Sequence, residues 1–328
     1  MRNSDIHKVG IQTSIWNNNL KSAFLLISFP FVIAMMFWGM IFAFQLVAIS
    51  QDGIFWGDAT RIANSVLLQY WWLVFSGVGI WFAIAWFSHQ SLINKDTKAK
   101  PAVRSETPEI YNILENLCIS RGLTMPKLFI IDSPVLNAYA SGINQKTYAI
   151  TLTTGLIEKL EKDELKTVIA HELTHIMNRD VRLLIISVIF VGIISLLSEM
   201  MVRGVMRSTL YAHSSGSSRR RGGKGSGGAI IVAVIIIILV AAIGYFLSIL
   251  IRFTLSRKRE YLADAGAVEL TKNSPALIRA LQKISGNSHL EDVDSDVQQM
   301  MFDNQKSFLG LFATHPPIES RIDVLKNF

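Results

Sequence analysis

His171, Glu172 and His175 stand at a spacing that suits metal-assisted hydrolysis. On a helix, side chains at i and i+4 project from one face a turn apart. The imidazoles of His171 and His175 can therefore share one tetrahedral zinc ion. Glu172 lies between them in sequence, where it can take a proton from a zinc-bound water and pass it to a leaving amine. The plainer alternative is a helix with two surface histidines. A catalytic zinc needs a third protein ligand and an open position. No Cys-based site is possible, because Cys118 is the only cysteine. None of the other histidines (His7, His89, His213, His289 and His315) follows His175 by a few residues. The best third ligand is Glu260, within Ser256-Arg257-Lys258-Arg259-Glu260-Tyr261-Leu262-Ala263-Asp264. Glu260 and Asp264 are again i, i+4: the first can bind zinc while the second hydrogen-bonds the outer nitrogen of a ligating histidine, fixing its tautomer. Taken alone, this stretch also reads as an exposed charged turn after a membrane helix. One zinc ion per chain is expected.

These groups must be held by elements that the composition places in and beside a membrane. Of 328 residues 50% are apolar and only 17% charged, and the mean hydropathy is +0.36. A soluble domain carries about 25% charged residues. Four apolar segments approach the roughly 20 residues needed to span a bilayer: 22–48, 65–87, 183–202 and 229–251. The net charge of +7 lies largely beside these runs, which favours anionic lipid over nucleic acid as its partner. Residues 1–21 are too long and polar for a signal-peptide n-region, so the first segment reads as a retained anchor. Residues 95–181 and 252–328 read as two parts of one protease domain, and 203–228 as a flexible basic loop ending in a Ser/Gly/Arg tract. Within the first part, Thr107 is expected to cap a helix running from Pro108 to Arg121, with Gly122 ending it. Lys127–Asp132, Asn137–Gly142 and Thr147–Thr153 read as strands, and Asp163–Asp180 as a helix that continues into the third span without a break. The fold class is α+β, predominantly helical: a polytopic membrane protein with four transmembrane helices and a zincin-type metalloprotease domain.

Spacing offers a check on the metal site. His175 precedes Arg182 by seven residues and Glu260 follows Arg252 by eight. In helical chain, each stands about 10–12 Å from its span, at 1.5 Å per residue. The two spans between them carry the chain out and back, so both ligands are expected at one height, just above the bilayer.

The runs His171-Glu172-Leu173-Thr174-His175-Ile176-Met177-Asn178, Arg257-Lys258-Arg259-Glu260-Tyr261-Leu262-Ala263-Asp264 and Thr314-His315-Pro316-Pro317-Ile318-Glu319-Ser320-Arg321-Ile322 together resemble the HtpX family. These are bacterial and archaeal membrane zinc endopeptidases of stress response and membrane-protein quality control, related to the CAAX prenyl proteases. The resemblance extends over most of the chain. It implies cleavage of damaged or misassembled membrane proteins in a bacterial or archaeal cell (inner) membrane. It also implies that Asn137, Ala138, Tyr139 and Ala140 form an edge strand binding the substrate backbone, where an extended peptide can add by main-chain hydrogen bonds. An ordinary hairpin strand is the alternative. His315, fixed in a turn by two prolines, is a candidate for a transient fourth ligand or an oxyanion donor. Arg321 is a candidate for the latter or for pairing with Asp264, and Asn178 for an outer contact to the site.

The positive-inside rule places the N-terminus, and with it the protease domain, in the cytoplasm. The basic 203–228 loop then lies outside, against the rule, unless spans three and four form a hairpin that does not fully cross. Membrane-protein substrates and the bilayer are the expected partners, with no nucleic acid; the oligomeric state is open. Two other functions fit less well. A processing protease for prenylated or lipid-linked tails is disfavoured by the few spans, which leave no large intramembrane chamber. A non-catalytic scaffold around a structural zinc has no need of Glu172.

Overall fold

The computed structural model describes residues 11–49, 56–214, 258–285, 300–302 and 316–327, with isolated positions 234, 238 and 242. The fourth apolar segment, most of the basic loop and His315 lie outside the described residues. The chain divides into two compact units. One comprises residues 1–23, 86–188 and 253–328; the other comprises 24–85 and 189–252.

The described residues are mostly helical. Helices α1 (Ile11–Ile49), α2 (Trp56–Asp96) and α6 (Asp180–Ser214) contain stretches long and apolar enough to cross a membrane, over Ile15–Gln45, Trp56–Asp96 and Asp180–Met200. In the second unit they meet through aromatic rings. Phe29 stacks on Phe190 at 4.0 Å, and Phe82 meets the same ring at 5.9 Å. Phe31, Phe44, Leu68, Trp71 and Phe87 point outward, which lipid tolerates and water does not. The sequence pattern assigned 203–214 to a flexible loop. Instead α6 continues through it to Ser214, with no proline to stop it and Arg203 paired to Glu199 one turn back.

The first unit is built on a four-stranded sheet. Its strands are β1 (Lys100–Pro101), β2 (Lys127–Ile131), β3 (Ala138–Ser141) and β4 (Ala149–Thr153), in the order β1-β2-β4-β3. Strand β4 is buried along its whole length, pairing parallel with β2 and antiparallel with β3. Pro101 is tolerated in strand β1 because β1 lies at the sheet edge. The β3–β4 turn requires Gly142 (φ +108): a Cβ there would lie 2.5 Å from the Thr147 carbonyl oxygen. The end of α2 braces β3, with Thr97 Oγ1 3.0 Å from the Tyr139 hydroxyl and Ser141 Oγ donating to Gln90 Oε1 at 2.9 Å.

Helix α3 (Pro108–Arg121) ends at Gly122 in the left-handed conformation (φ 63). Thr107 occupies its N-cap position but makes no capping bond; its hydroxyl turns back to the Val103 carbonyl. The short α4 (Thr154–Lys159) leads into α5 (Lys162–Met177), which opens with a reciprocal Glu161–Glu164 capping box. Helices α7 (Lys258–Thr271), α8 (Ser274–Ile284) and α9 (Ile318–Leu325) complete the described part of the unit. Buried Glu164 ties α8 to α5 through Lys283 Nζ at 2.6 Å and Arg279 Nε at 3.2 Å. Burial pushes the Glu164 carboxyl up, but the two cations and the capping bond outweigh this and hold it below its usual value.

Helix α5 does not run on into α6. It ends at Met177, Asn178 is its C-cap, and Arg179 adopts φ 61 before α6 starts at Asp180. A left-handed non-glycine residue costs on the order of 1–2 kcal/mol, so this corner must be held by contacts elsewhere.

Candidate metal centre

Two helices bring the chemistry-bearing residues together. α5 carries His171, Glu172 and His175, and α7 carries Glu260 and Asp264. They pack closely because α7 presents Gly266 to Thr174: a Cβ at Gly266 would lie 2.4 Å from Thr174 Cγ2. His171, Glu172, Glu260 and Asp264 are buried, and the His175 side chain keeps 13% of its surface exposed.

One ligand atom from each of His171, His175 and Glu260 lies within 4.8 Å of the others. His171 Nε2 and His175 Nε2 are 3.1 Å apart. Glu260 Oε2 is 3.5 Å from the first, and Glu260 Oε1 is 3.6 Å from the second. The opposite ring nitrogens face carboxylates: His171 Nδ1 is 2.9 Å from Asp264 Oδ1, and His175 Nδ1 is 3.0 Å from Asp180 Oδ2. If each Nδ1 carries the proton it donates to its carboxylate, both Nε2 lone pairs and the Glu260 carboxylate converge on one point. Three electron-pair donors aimed at each other repel unless a cation lies among them. The residues therefore fit a metal with N, N and O ligation. The same field acts on protons. Burial works against charge on His175, but the Glu260 and Asp180 carboxylates outweigh it and push its pKa up to about 10.

The outer contacts are specific. Arg321, 1% exposed, grips Asp264 with two bonds, Nε to Oδ2 at 2.8 Å and Nη2 to Oδ1 at 2.6 Å. Burial favours a protonated Asp264, but Arg321 overrides it and holds the carboxyl low. The guanidinium also lies 4.7 Å from the Phe302 ring centroid, and that ring meets His171 edge-on at 4.8 Å. Arg321 thus orients Asp264, which faces His171. Asn178 caps α5, and its backbone carbonyl accepts from Asn18 Nδ2 at 3.0 Å.

Asp180 is the residue the sequence reading overlooks. Five residues along an unbroken helix it would sit about 140° round from His175. The left-handed Arg179 turns it back to the ring. An Asn-Arg-Asp run after a helix, mixing a cap former with an acid, is the only local hint.

Glu172 lies beside the three converging atoms. Burial pushes its carboxyl up most strongly. The neighbouring His171 and His175 rings pull it down, Glu260 raises it, and the Ala140 backbone N–H bonds to it; the net result is raised. Strand β3 thus adjoins the site, but its outer side is partly covered. Tyr139 bridges antiparallel to Met301, and the Phe302 N–H donates to the Ala138 carbonyl at 2.8 Å and to Asn137 Oδ1 at 3.0 Å. The Tyr139 ring is core, 1% exposed.

Residues 104–328 match the model of peptidase family M48. The chain is 47% identical over 330 residues to a Protease HtpX homolog of Bacteroides fragilis (strain YCH46), covering 98% of this chain and 99% of that one. It is 41% identical over 246 residues to a Protease HtpX homolog of Listeria monocytogenes serovar 1/2a, covering 73% of this chain and 80% of that one. A crystal structure of S. mikatae Ste24p aligns with a TM-score of 0.47 and 20% identity, covering 80% of this chain and 60% of that one. The family match over residues 104–328 and the relatives at 47% and 41% identity, together with the convergent donors and the carboxylate beside them, lead to one assignment: the chain belongs to peptidase family M48, is of the HtpX type, and is a metalloprotease.

Proposed function

We propose that this chain is a zinc-dependent endopeptidase that cleaves damaged or misassembled membrane proteins from within a cell membrane, with Glu172 as its catalytic residue and His171, His175 and Glu260 as the zinc ligands. The observation that carries this reading is the convergence of three N/N/O donor atoms within 4.8 Å beside a buried carboxylate whose pKa is raised. Zinc, when bound, supplies Lewis-acid polarisation of the scissile carbonyl and makes water a stronger acid. Glu172 takes the proton from the attacking water as the water oxygen bonds to the carbonyl carbon. It returns that proton to the amide nitrogen as the C–N bond breaks, so hydrolysis adds one water across the bond. Asp264, held by Arg321, orients His171; Asp180 orients His175.

Strand β3 would take a substrate strand antiparallel, in the place that Met301 and Phe302 now hold. The Ala138 carbonyl already accepts the Phe302 N–H at 2.8 Å, so a substrate N–H would reach it by displacing Phe302. The preference for membrane-protein substrates is supported by three helices long and apolar enough to cross a membrane in the same chain.

The test is Glu172→Gln in the full chain, purified in detergent and returned to vesicles with a membrane-protein substrate. The amide keeps the shape but cannot take the proton. Cleavage should fall by at least a thousandfold, with metal content unchanged. Cleavage near the wild-type rate would overturn the mechanism, and cleavage by wild type that survives full chelation would overturn the metal requirement.

A further inference from the structure

We propose that Asn18, in the first apolar helix and far in sequence from either metal-ligand motif, is a positioning residue for the metal centre, acting through Asp180 on His175. This rests on His175 being a metal ligand. The Asn18 amide nitrogen donates to Asp180 Oδ1 at 2.7 Å and to the Asn178 carbonyl at 3.0 Å. The other oxygen of the same carboxylate, Asp180 Oδ2, faces His175 Nδ1 at 3.0 Å. Asn18 is 6% exposed and Asp180 2%, so water is a poor substitute for either bond.

The two acceptors that Asn18 joins flank Arg179, the left-handed residue between α5 and α6. One side chain therefore ties together the ends of the corner that swings Asp180 back to the ring. The neighbouring Asn19 Oδ1 accepts from Arg179 Nη1 at 3.0 Å, a second tie between α1 and this turn. An asparagine suits the place for a definite reason. Asp180 already receives one N–H from His175, and its second oxygen needs a neutral donor. A lysine or arginine there would neutralise the carboxylate and weaken its hold on the imidazole, whereas an aspartate would repel it. Without Asn18, Asp180 loses one of two buried partners and the corner loses its clasp. His175 Nε2 is then no longer held toward His171 and Glu260. Direct partners of metal ligands change affinity by about 10–100-fold when removed. Asn18 stands one step further out, so about a tenfold loss is expected.

The experiment measures zinc affinity of the full chain in detergent by competition with a chromogenic chelator, together with the visible d–d spectrum of the cobalt-substituted protein. Asn18→Ala should weaken zinc about tenfold and shift the cobalt bands, while Asn17→Ala, at an exposed position of the same helix, leaves both as in wild type. The decisive comparison is made on the Asp180→Ala background. If Asn18 acts through Asp180, adding Asn18→Ala there changes zinc affinity by less than twofold. Wild-type affinity and spectrum in Asn18→Ala overturn the proposal, as does a full additional tenfold loss on the Asp180→Ala background. Should Asn18→Ala fail to fold, Asn18→Ser, whose hydroxyl is too short to bridge both acceptors, carries the same expectations. Failure of the underlying reading looks different: His175→Ala would then bind zinc as wild type does.

Discussion

Replacing Gly266 with alanine tests the packing that brings the two halves of the metal centre together. A Cβ at Gly266 lies 2.4 Å from Thr174 Cγ2 and 2.8 Å from Thr174 Oγ1. Ordinary carbon contacts begin near 3.5 Å, so α7 and α5 must separate by about 1 Å or Thr174 must turn. Turning is resisted, because Thr174 Oγ1 donates to the Ala170 carbonyl at 2.8 Å and its branched Cβ restricts rotation. Two effects then compete with opposite signs. Alanine is a better helix former than glycine by about 1 kcal/mol, whereas overpacking costs about 1–3 kcal/mol. The clash is the larger, so the variant should be less stable by about 1–2 kcal/mol. It should also bind metal more weakly, because Glu260 lies on the displaced helix and His171 and His175 on the other. Thr174→Ala removes both clashing atoms, leaving Thr174 Cβ at 3.2 Å, so the double variant should recover most of both losses. The assays are thermal unfolding of the metal-free protein and chelator competition. A single variant that is more stable than wild type and binds metal equally well would refute the reasoning, as would a double variant no better than the single.

Arg321→Met should destabilise the fold by about 3–5 kcal/mol at neutral pH, because it takes the cation from buried Asp264 and leaves only His171 Nδ1 beside it. The pH dependence fixes the cause. In wild type the Asp264 pKa is held low, so the pair's contribution is complete above the ordinary aspartate value of about 3.9 and drains away as pH falls below it. In the variant only His171 still opposes burial, so the carboxyl rises from its wild-type value, and the gap to wild type should narrow on acidification toward pH 4; a gap that widens there would contradict this. Chelation should lower the melting temperature by several degrees, since a ligand at a hundred times its dissociation constant stabilises by about 2.7 kcal/mol, and added zinc should restore it; Glu172→Gln should show the same shift. The Lys283→Met variant, which removes the nearer cation from buried Glu164, should destabilise without changing metal affinity, as measured by the same melts and competition titrations.

How much of this was legible in the sequence depended on the range of the interaction. The His171–His175 and Glu260–Asp264 pairs are set by helical spacing within one turn, and the structure brings all four side chains together. Strand β4 announced itself by an alternating β-branched run, and Gly122 ended its helix as expected. What was missed depends on the backbone leaving its regular path or on contacts across long stretches of chain. The α5–α6 corner at Arg179 carries neither glycine nor proline, so the helix reads as continuous and Asp180 reads as facing away from His175. Asn18 sits 162 residues before Asp180, and nothing in its neighbourhood hints at that partner. The covering of β3 by Met301 and Phe302 is likewise a pairing between distant segments, where local pattern sees only an open edge. The helical course of 203–214 was hidden for a different reason. Polar and basic residues on a helix leaving an apolar run look like loop when judged by hydropathy alone.

Metal content of the purified full chain, compared with Glu260→Ala and Glu172→Gln, tests the central assignment most directly. With a metal held by His171, His175 and Glu260 and a proton carried by Glu172, wild type and Glu172→Gln should each retain about one zinc per chain and Glu260→Ala far less, with cleavage only in wild type. Undiminished zinc in Glu260→Ala would contradict it.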